Sequence, residues 1–209
     1  MTRQTCLSVK GNEMKILEVS SAKGGVGTST VASCLALALA KKNPERVLLL
    51  DLSKRDDCTA ILGLGTNAMR ENDWQGLTIK GLTRNEVKEA RSLGNYDFVV
   101  IDAGLETTRE YAFGTPDLRV QVVRNEYLSV RAETLAGRDN FGACVVLFQK
   151  DNALTVKDVQ MVLRNTPTVF EVSAAVSRAI DAGIIMSRDN LWSEWTDSII
   201  ETHFSEVLK

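Results

Sequence analysis

From residue 14 to about residue 187 the chain alternates short runs that are apolar at nearly every position with longer stretches in which apolar residues recur every three or four places. The short runs, 15–20, 46–51, 97–102, 117–123, 142–149 and 168–172, are rich in valine, leucine and isoleucine and closed by turn residues. Their length and composition predict strands. The periodic stretches, 28–41, 84–93, 126–138, 156–164, 173–182 and 190–208, predict helices. A strand without a polar side leaves no face for water, so helices must cover both faces, as in a parallel sheet. The expected fold is therefore α/β: a doubly wound, mostly parallel sheet with helices on both faces. Residues 57–81 fit neither period, because Gly63, Gly65, Gly76 and Gly81 interrupt them. They read as a surface excursion or as a switch or partner-binding loop.

Composition narrows this picture without redirecting it. A chain of 209 residues suits one core, with 44% hydrophobic and 25% charged residues in an ordinary globular balance. Residues 1–13 are polar and are expected to be a flexible extension, followed by one nucleotide-binding domain over 14–209 that ends in the helix near 190–208. The formal charge of −2 supplies no global attraction to nucleic acid or anionic lipid. Cys6, Cys34, Cys58, Cys144 and His203 are scattered, which signals neither a zinc site nor a disulfide framework. With no apolar leader and no run near the ~18 residues of a membrane span, the expected location is the cytoplasm.

The candidate chemistry lies where the first strand meets the first helix. Between them Gly24, Gly25 and Gly27 place three glycines in four positions, followed by Ser29 and Thr30. Glycines let successive N–H groups face one point, and the next helix adds its unpaired amides and the positive end of its dipole. A phosphate fits such a cradle. The strict phosphate-loop pattern G-x-x-x-x-G-K-[ST] fails at Ala22 and at Thr28, which stands where the lysine belongs. A neutral hydroxyl there replaces a charge-assisted bond of roughly twice the strength.

The segment Lys23-Gly24-Gly25-Val26-Gly27-Thr28-Ser29-Thr30 resembles the deviant Walker A motif of the MinD/ParA family of P-loop ATPases, K-G-G-x-G-K-[ST]. Residues 47–51, ending in Asp51, resemble the family's second strand, and residues 96–102, ending in Asp102, its Walker B strand. Residues 169–172 and 176–183 resemble its late strand and helix, so the likeness spans about residues 14–187. The loop type is similar to that of the CpaE/TadZ-like branch. The resemblance implies that residues 23–30 bind ATP, that Ser29 ligates Mg²⁺, and that Asp102 holds the ion through water. Asp51 would lie beside the γ-phosphate, and Lys23 would reach the nucleotide of a second subunit in an ATP-dependent homodimer. Three departures stand out: Thr28 for the loop lysine, Ser53 for the second acid of Asp-x-Asp, and Ser173 for a proline.

Two further features bear on partners. Arg124, Arg131 and Arg138 recur every seven residues, which fits either DNA phosphates or a solvated face paired with Glu126 and Glu133. DNA binding is thus possible but not signalled. Trp192, Trp195, Ile199 and Phe204 form a stripe on the last helix, whose polar side carries Glu194, Asp197, Glu201 and Glu206. A membrane-surface helix is Lys/Arg-rich instead, so docking on the domain or on a protein partner is expected. The implied function is positioning or partition of a cargo, such as DNA, a pilus or another assembly, through nucleotide-dependent dimerisation with slow or no hydrolysis. The alternative is an active ATPase or small phosphotransferase of the same fold.

Overall fold

The computed structural model describes residues 14–53, 57–64, 71–74, 76–89, 93–105, 111–137 and 141–205. Its centre is a sheet of β1 (Lys15–Ser20), β2 (Val47–Asp51), β3 (Glu71–Trp74), β4 (Leu77–Gly81), β5 (Phe98–Gly104), β6 (Leu118–Arg124), β7 (Ala143–Phe148) and β8 (Thr168–Glu171). The order across the sheet is β3-β4-β2-β5-β1-β6-β7-β8. All neighbours are parallel except the β3–β4 pair. The doubly wound, mostly parallel sheet expected from the all-apolar runs is what forms.

Helix α1 (Thr28–Lys42) explains its own lack of a polar face: every residue from 30 to 40 is buried. A helix apolar all round belongs inside, and α1 lies between the sheet and the last helix, α7 (Ser193–Phe204). Alongside them α2 (Asp57–Ile61) and α6 (Ala174–Asp181) complete one layer through Cys58, Val176 and Ala179. The opposite face is covered by Val87 of α3 (Arg84–Glu89), and by α4 (Tyr127–Ala136) and α5 (Val156–Leu163) through Val130 and Val159.

The stripe on the last helix points inward. Trp195, Ile199, Ile200 and Phe204 are buried; Phe204 meets Phe98 edge-on at 5.8 Å, and Trp195 stacks on Phe170 at 5.0 Å. Lys41 sits 4.7 Å above the Trp192 ring. This apolar face is spent on the core, and among the described residues no helix is long and apolar enough to cross a membrane. The helix starts at Ser193 rather than near 190, because Asp189–Leu191 closes as a 3-10 turn.

Residues 57–81, unreadable by period, contain α2 and the antiparallel pair β3–β4, which widens the sheet beyond β2. Gly63 ends α2 with φ of +73°, and a Cβ there would stand 2.6 Å from the carbonyl oxygen of Gly183. Two backbone turns meet at that point, which is why a glycine interrupts the periodicity.

Candidate functional site

In open α/β sheets ligands gather at the carboxyl ends of the strands. Here β2, β5 and β1 end side by side, with Asp51 opposite Asp102 and Asp102 opposite Val19. Beyond Ser20 the loop runs to Gly27, which caps α1 with φ of +101° and contributes no side-chain hydrogen bond to its first turn. Those first amides have no partner within the helix. Gly24 and Gly25 are exposed, and a Cβ at either would meet nothing within 4 Å. A cleft of about 430 Å³ opens over this turn, walled by Gly24, Gly27, Ser29, Thr30, Asp57 and Asp102.

The side chains expected to act there differ in how they meet the cleft. Ser29 and Thr30 line the cleft, and Asp102 stands with them on its wall. Asp102 accepts the N–H of Gly104 at 3.2 Å and the Cys58 thiol at 3.5 Å. Asp51 lies deeper, 1% exposed, with one oxygen on the N–H of Ser53 and the other on that of Cys58, each at 2.8 Å. Val26 points into the core, so only its main chain faces the loop. Lys23 is half-buried, its Nζ 3.9 Å from Glu126.

Thr28 lines the cleft, but its hydroxyl is turned to Ser21 rather than extended over the cleft as a lysine would be. It is 8% exposed, and its hydroxyl lies 2.9 Å from that of Ser21, which donates to the carbonyl of Lys23 at 3.1 Å. Since Ser21 has one proton to give, Thr28 donates to Ser21. The threonine braces the loop from within. Ser53 is likewise occupied, its hydroxyl accepting the N–H of Asp57 at 3.0 Å. Asp57 itself lines the cleft, whereas Asp56 lies outside the described residues.

Burial dominates the electrostatics. Asp51 and Asp102 are both held above the usual carboxylate range, chiefly by desolvation, while local hydrogen bonds act in the opposite sense. Burial also pushes the Cys58 thiol well up, with the charges of Asp102 and Asp51 adding to it. One donor atom from each of Asp51, Cys58 and Asp102 falls within 4.8 Å of the others. Ser29 and Asp102, at the cleft wall, offer the hard oxygen donors that suit Mg²⁺.

Four residues to which the sequence pattern assigned no part in the site take part. Cys58 joins the two aspartates, Ser21 holds Thr28, and Glu133 and Gln121 grip the loop from the far side. Glu133 does not belong to a solvated arginine face. It is 4% exposed, accepts the N–H of Ala22, and takes a 3.0 Å bond from Nε2 of Gln121. Its signal was available, since it falls four places after Ser129 and three after Val130, the other buried positions of α4. Arg124 approaches Glu126 at 3.7 Å and Arg131 is exposed, while Arg138 lies outside the described residues.

This buried carboxylate sets opposite expectations for two substitutions. Glu133→Gln keeps an acceptor for Ala22 and removes a negative charge near an anion cradle, so binding of a phosphate-bearing probe such as ATP should tighten by about threefold. Glu133→Ala leaves the Ala22 N–H unsatisfied and should weaken binding by about threefold to tenfold. Calorimetric titration of both variants checks the pair; equal effects of the same sign would remove the charge argument.

Comparison with known proteins places these features. Residues 14–92 match the family described as an AAA domain. The chromosome partitioning protein ParA of Caulobacter vibrioides is 39% identical over 62 residues, which is 30% of this chain and 23% of that protein. The matched segment thus spans about a quarter of the relative's length. Among solved structures, the MinC:MinD cell division protein complex of Aquifex aeolicus aligns with a TM-score of 0.65 at 20% identity, over 90% of this chain and 95% of that one. The Cyanothece McdA(D38A)-ATP complex aligns at 0.57 and 14%, over 91% and 96%. At these identities the structural likeness is one of fold.

Proposed function

We propose that this chain, MinD/ParA-like in fold, is a P-loop protein that binds ATP with Mg²⁺ and dimerises on it to position or partition a cargo. One observation carries the reading: the first turn of α1 has no side-chain cap and opens, behind Gly27, onto a cleft whose wall carries both Ser29 and Asp102. The likeness in fold to an ATP-bound protein and to MinD, together with the local match to ParA, supports it.

In this reading the main chain from Gly24 to Thr30 surrounds the phosphates, and the dipole of α1 favours their charge. Ser29 would hold Mg²⁺ directly and Asp102 through water. An ion held there would supply positive charge beside the buried carboxylates of Asp51 and Asp102. Asp51, fixed by two N–H groups, would face the γ-phosphate only after local rearrangement around Cys58. Lys23 would leave Glu126 to reach a second subunit's nucleotide, which makes the homodimer ATP-dependent. That half-buried pair, long at 3.9 Å, gives little stability to overcome.

Hydrolysis is slow or absent in this proposal. Phosphoryl transfer needs charge neutralised and a water positioned, and both Thr28 and Ser53 are already engaged in local bonds. A working ATPase or small phosphotransferase remains the second reading, favoured by the Asp57 carboxylate at the cleft wall. Binding by calorimetry, mass by sedimentation with and without ATP, and phosphate release separate the two. Release above about 1 per second, typical of enzymes, would favour the second.

Thr28→Lys tests the missing cation. A charge-assisted bond contributes ~1.5–3 kcal/mol, of which the lost bond to Ser21 takes back about 1 kcal/mol. The expected outcome is ATP binding several-fold tighter, read by calorimetry. Thr28→Lys with Ser53→Asp should also raise phosphate release; unchanged release would mean that more than these two residues is missing.

A further inference from the structure

We infer that the open edge of β8, with α7 beside it, is a docking groove for an extended basic segment of a protein partner. The inference stands apart from the nucleotide cleft and does not depend on it.

Strand β8 is last in the sheet, with β7 as its neighbour. The N–H of Val172 donates to the carbonyl of Phe148 on β7 at 2.8 Å. Main-chain groups alternate sides along a strand, so Phe170 also turns its groups towards β7. Val169 and Glu171 turn theirs outward, and no described strand takes them. Val169 is 39% exposed and Glu171 is exposed as well.

Exposed edges are ordinarily blunted by charge, proline or a covering element. Pro167 and Glu171 do part of this here, but α7 stands to one side of the edge rather than across it. The result is a groove of about 590 Å³ between β8 and the start of α7, lined by Val169, Phe170, Glu171, Leu191, Glu194 and Trp195 among others. A strand edge flanked by a helix is the setting in which a peptide adds as a further strand, gaining affinity from main-chain bonds and specificity from alternate side chains. Trp195 also keeps a buried indole N–H without an acceptor, which a bound carbonyl would supply after a small turn of the ring.

Charge selects the occupant. Phe170 stacks on Trp195 on the α7 side, so the side chain of Glu171 turns to the other face of the sheet. Glu194 stands on α7 itself and is exposed. The groove thus offers an acid on each face, and its lining includes no lysine or arginine. A segment with bases at two successive positions places one against each.

The probe is a blocked decapeptide repeating Val-Val-Lys-Lys, compared with its Val-Val-Glu-Glu counterpart, with tryptophan fluorescence as readout. The lysine peptide should bind, weaken as salt rises, and bind at least about tenfold more tightly than the glutamate peptide, an increment of ~1.4 kcal/mol. Val169→Pro removes an outward N–H without touching the β7 ladder, so it should weaken binding about tenfold while leaving the circular dichroism melt unchanged. If that variant misfolds, Glu171→Lys with Glu194→Lys replaces it and should abolish the charge preference. Absence of binding, equal binding of the two peptides, or binding unaltered in a folded variant would each overturn the inference.

Discussion

Gly27→Ala is expected to destabilise the protein by about 2–5 kcal/mol and to remove ATP binding. At φ of +101° any side chain is strained, at a cost of ~1–2 kcal/mol. The added Cβ would also stand 2.5 Å from Cδ2 of Leu147, which is 2% exposed on β7. Leucine side chains can shift, but this one is enclosed in a close-packed interior, and overpacking adds ~1–3 kcal/mol. The two costs have separate origins and largely add.

Gly24→Ala is the control. Its Cβ meets nothing within 4 Å and its φ is not in the strained region, so stability should stay within about 0.5 kcal/mol. Its methyl would nevertheless enter the cleft and weaken nucleotide binding. Urea midpoints at constant slope measure the first effect and calorimetry the second. A Gly27→Ala protein with the wild-type midpoint would mean that the loop relaxes in a way the packing against Leu147 does not allow.

These two glycines also mark how far sequence reasoning reached. Both fell within a motif, yet nothing local separates the one locked against β7 from the one open to the cleft, because Leu147 lies 120 positions away. The layered sheet was legible for the opposite reason: strands such as 47–51 and 98–101 have no polar side, which leaves one way to bury them. The pair β3–β4 was not legible, since β3 offers Glu71, Asn72 and Asp73 without an apolar alternation and pairs at the rim of the sheet. Asp51 and Asp102 were each readable as strand ends. That they are neighbours follows from β2 lying against β5, an order set by tertiary packing. Thr28 was read as a missing cation, and the structure adds what it does instead, holding Ser21.

Asp102→Asn should separate stability from function in this site. Burial raises the folded carboxyl above its ordinary 3.8, with the charge of Asp51 contributing. As pH rises from that ordinary value, the unfolded chain releases its proton first, so the folded state holds more protons and stability falls through the folded pKa. At neutral pH the wild type therefore carries an unfavourable buried charge, which asparagine removes. The variant without nucleotide should show a higher urea midpoint than the wild type at pH 7, and the difference should shrink as pH is lowered towards 4. Binding should move the other way: losing a group that orients a metal's shell costs roughly 10–100-fold in metal affinity, so ATP with Mg²⁺ should bind that much more weakly. The loss should be smaller for ATP measured with chelator, because the main-chain cradle is untouched. A variant less stable than wild type at pH 7 would refute the burial account, and unchanged affinity with Mg²⁺ would place the ion elsewhere. If both expectations hold, a strand end that weakens the empty protein is one its ligand requires, and occupancy of the cleft becomes part of what holds β2, β5 and α1 together.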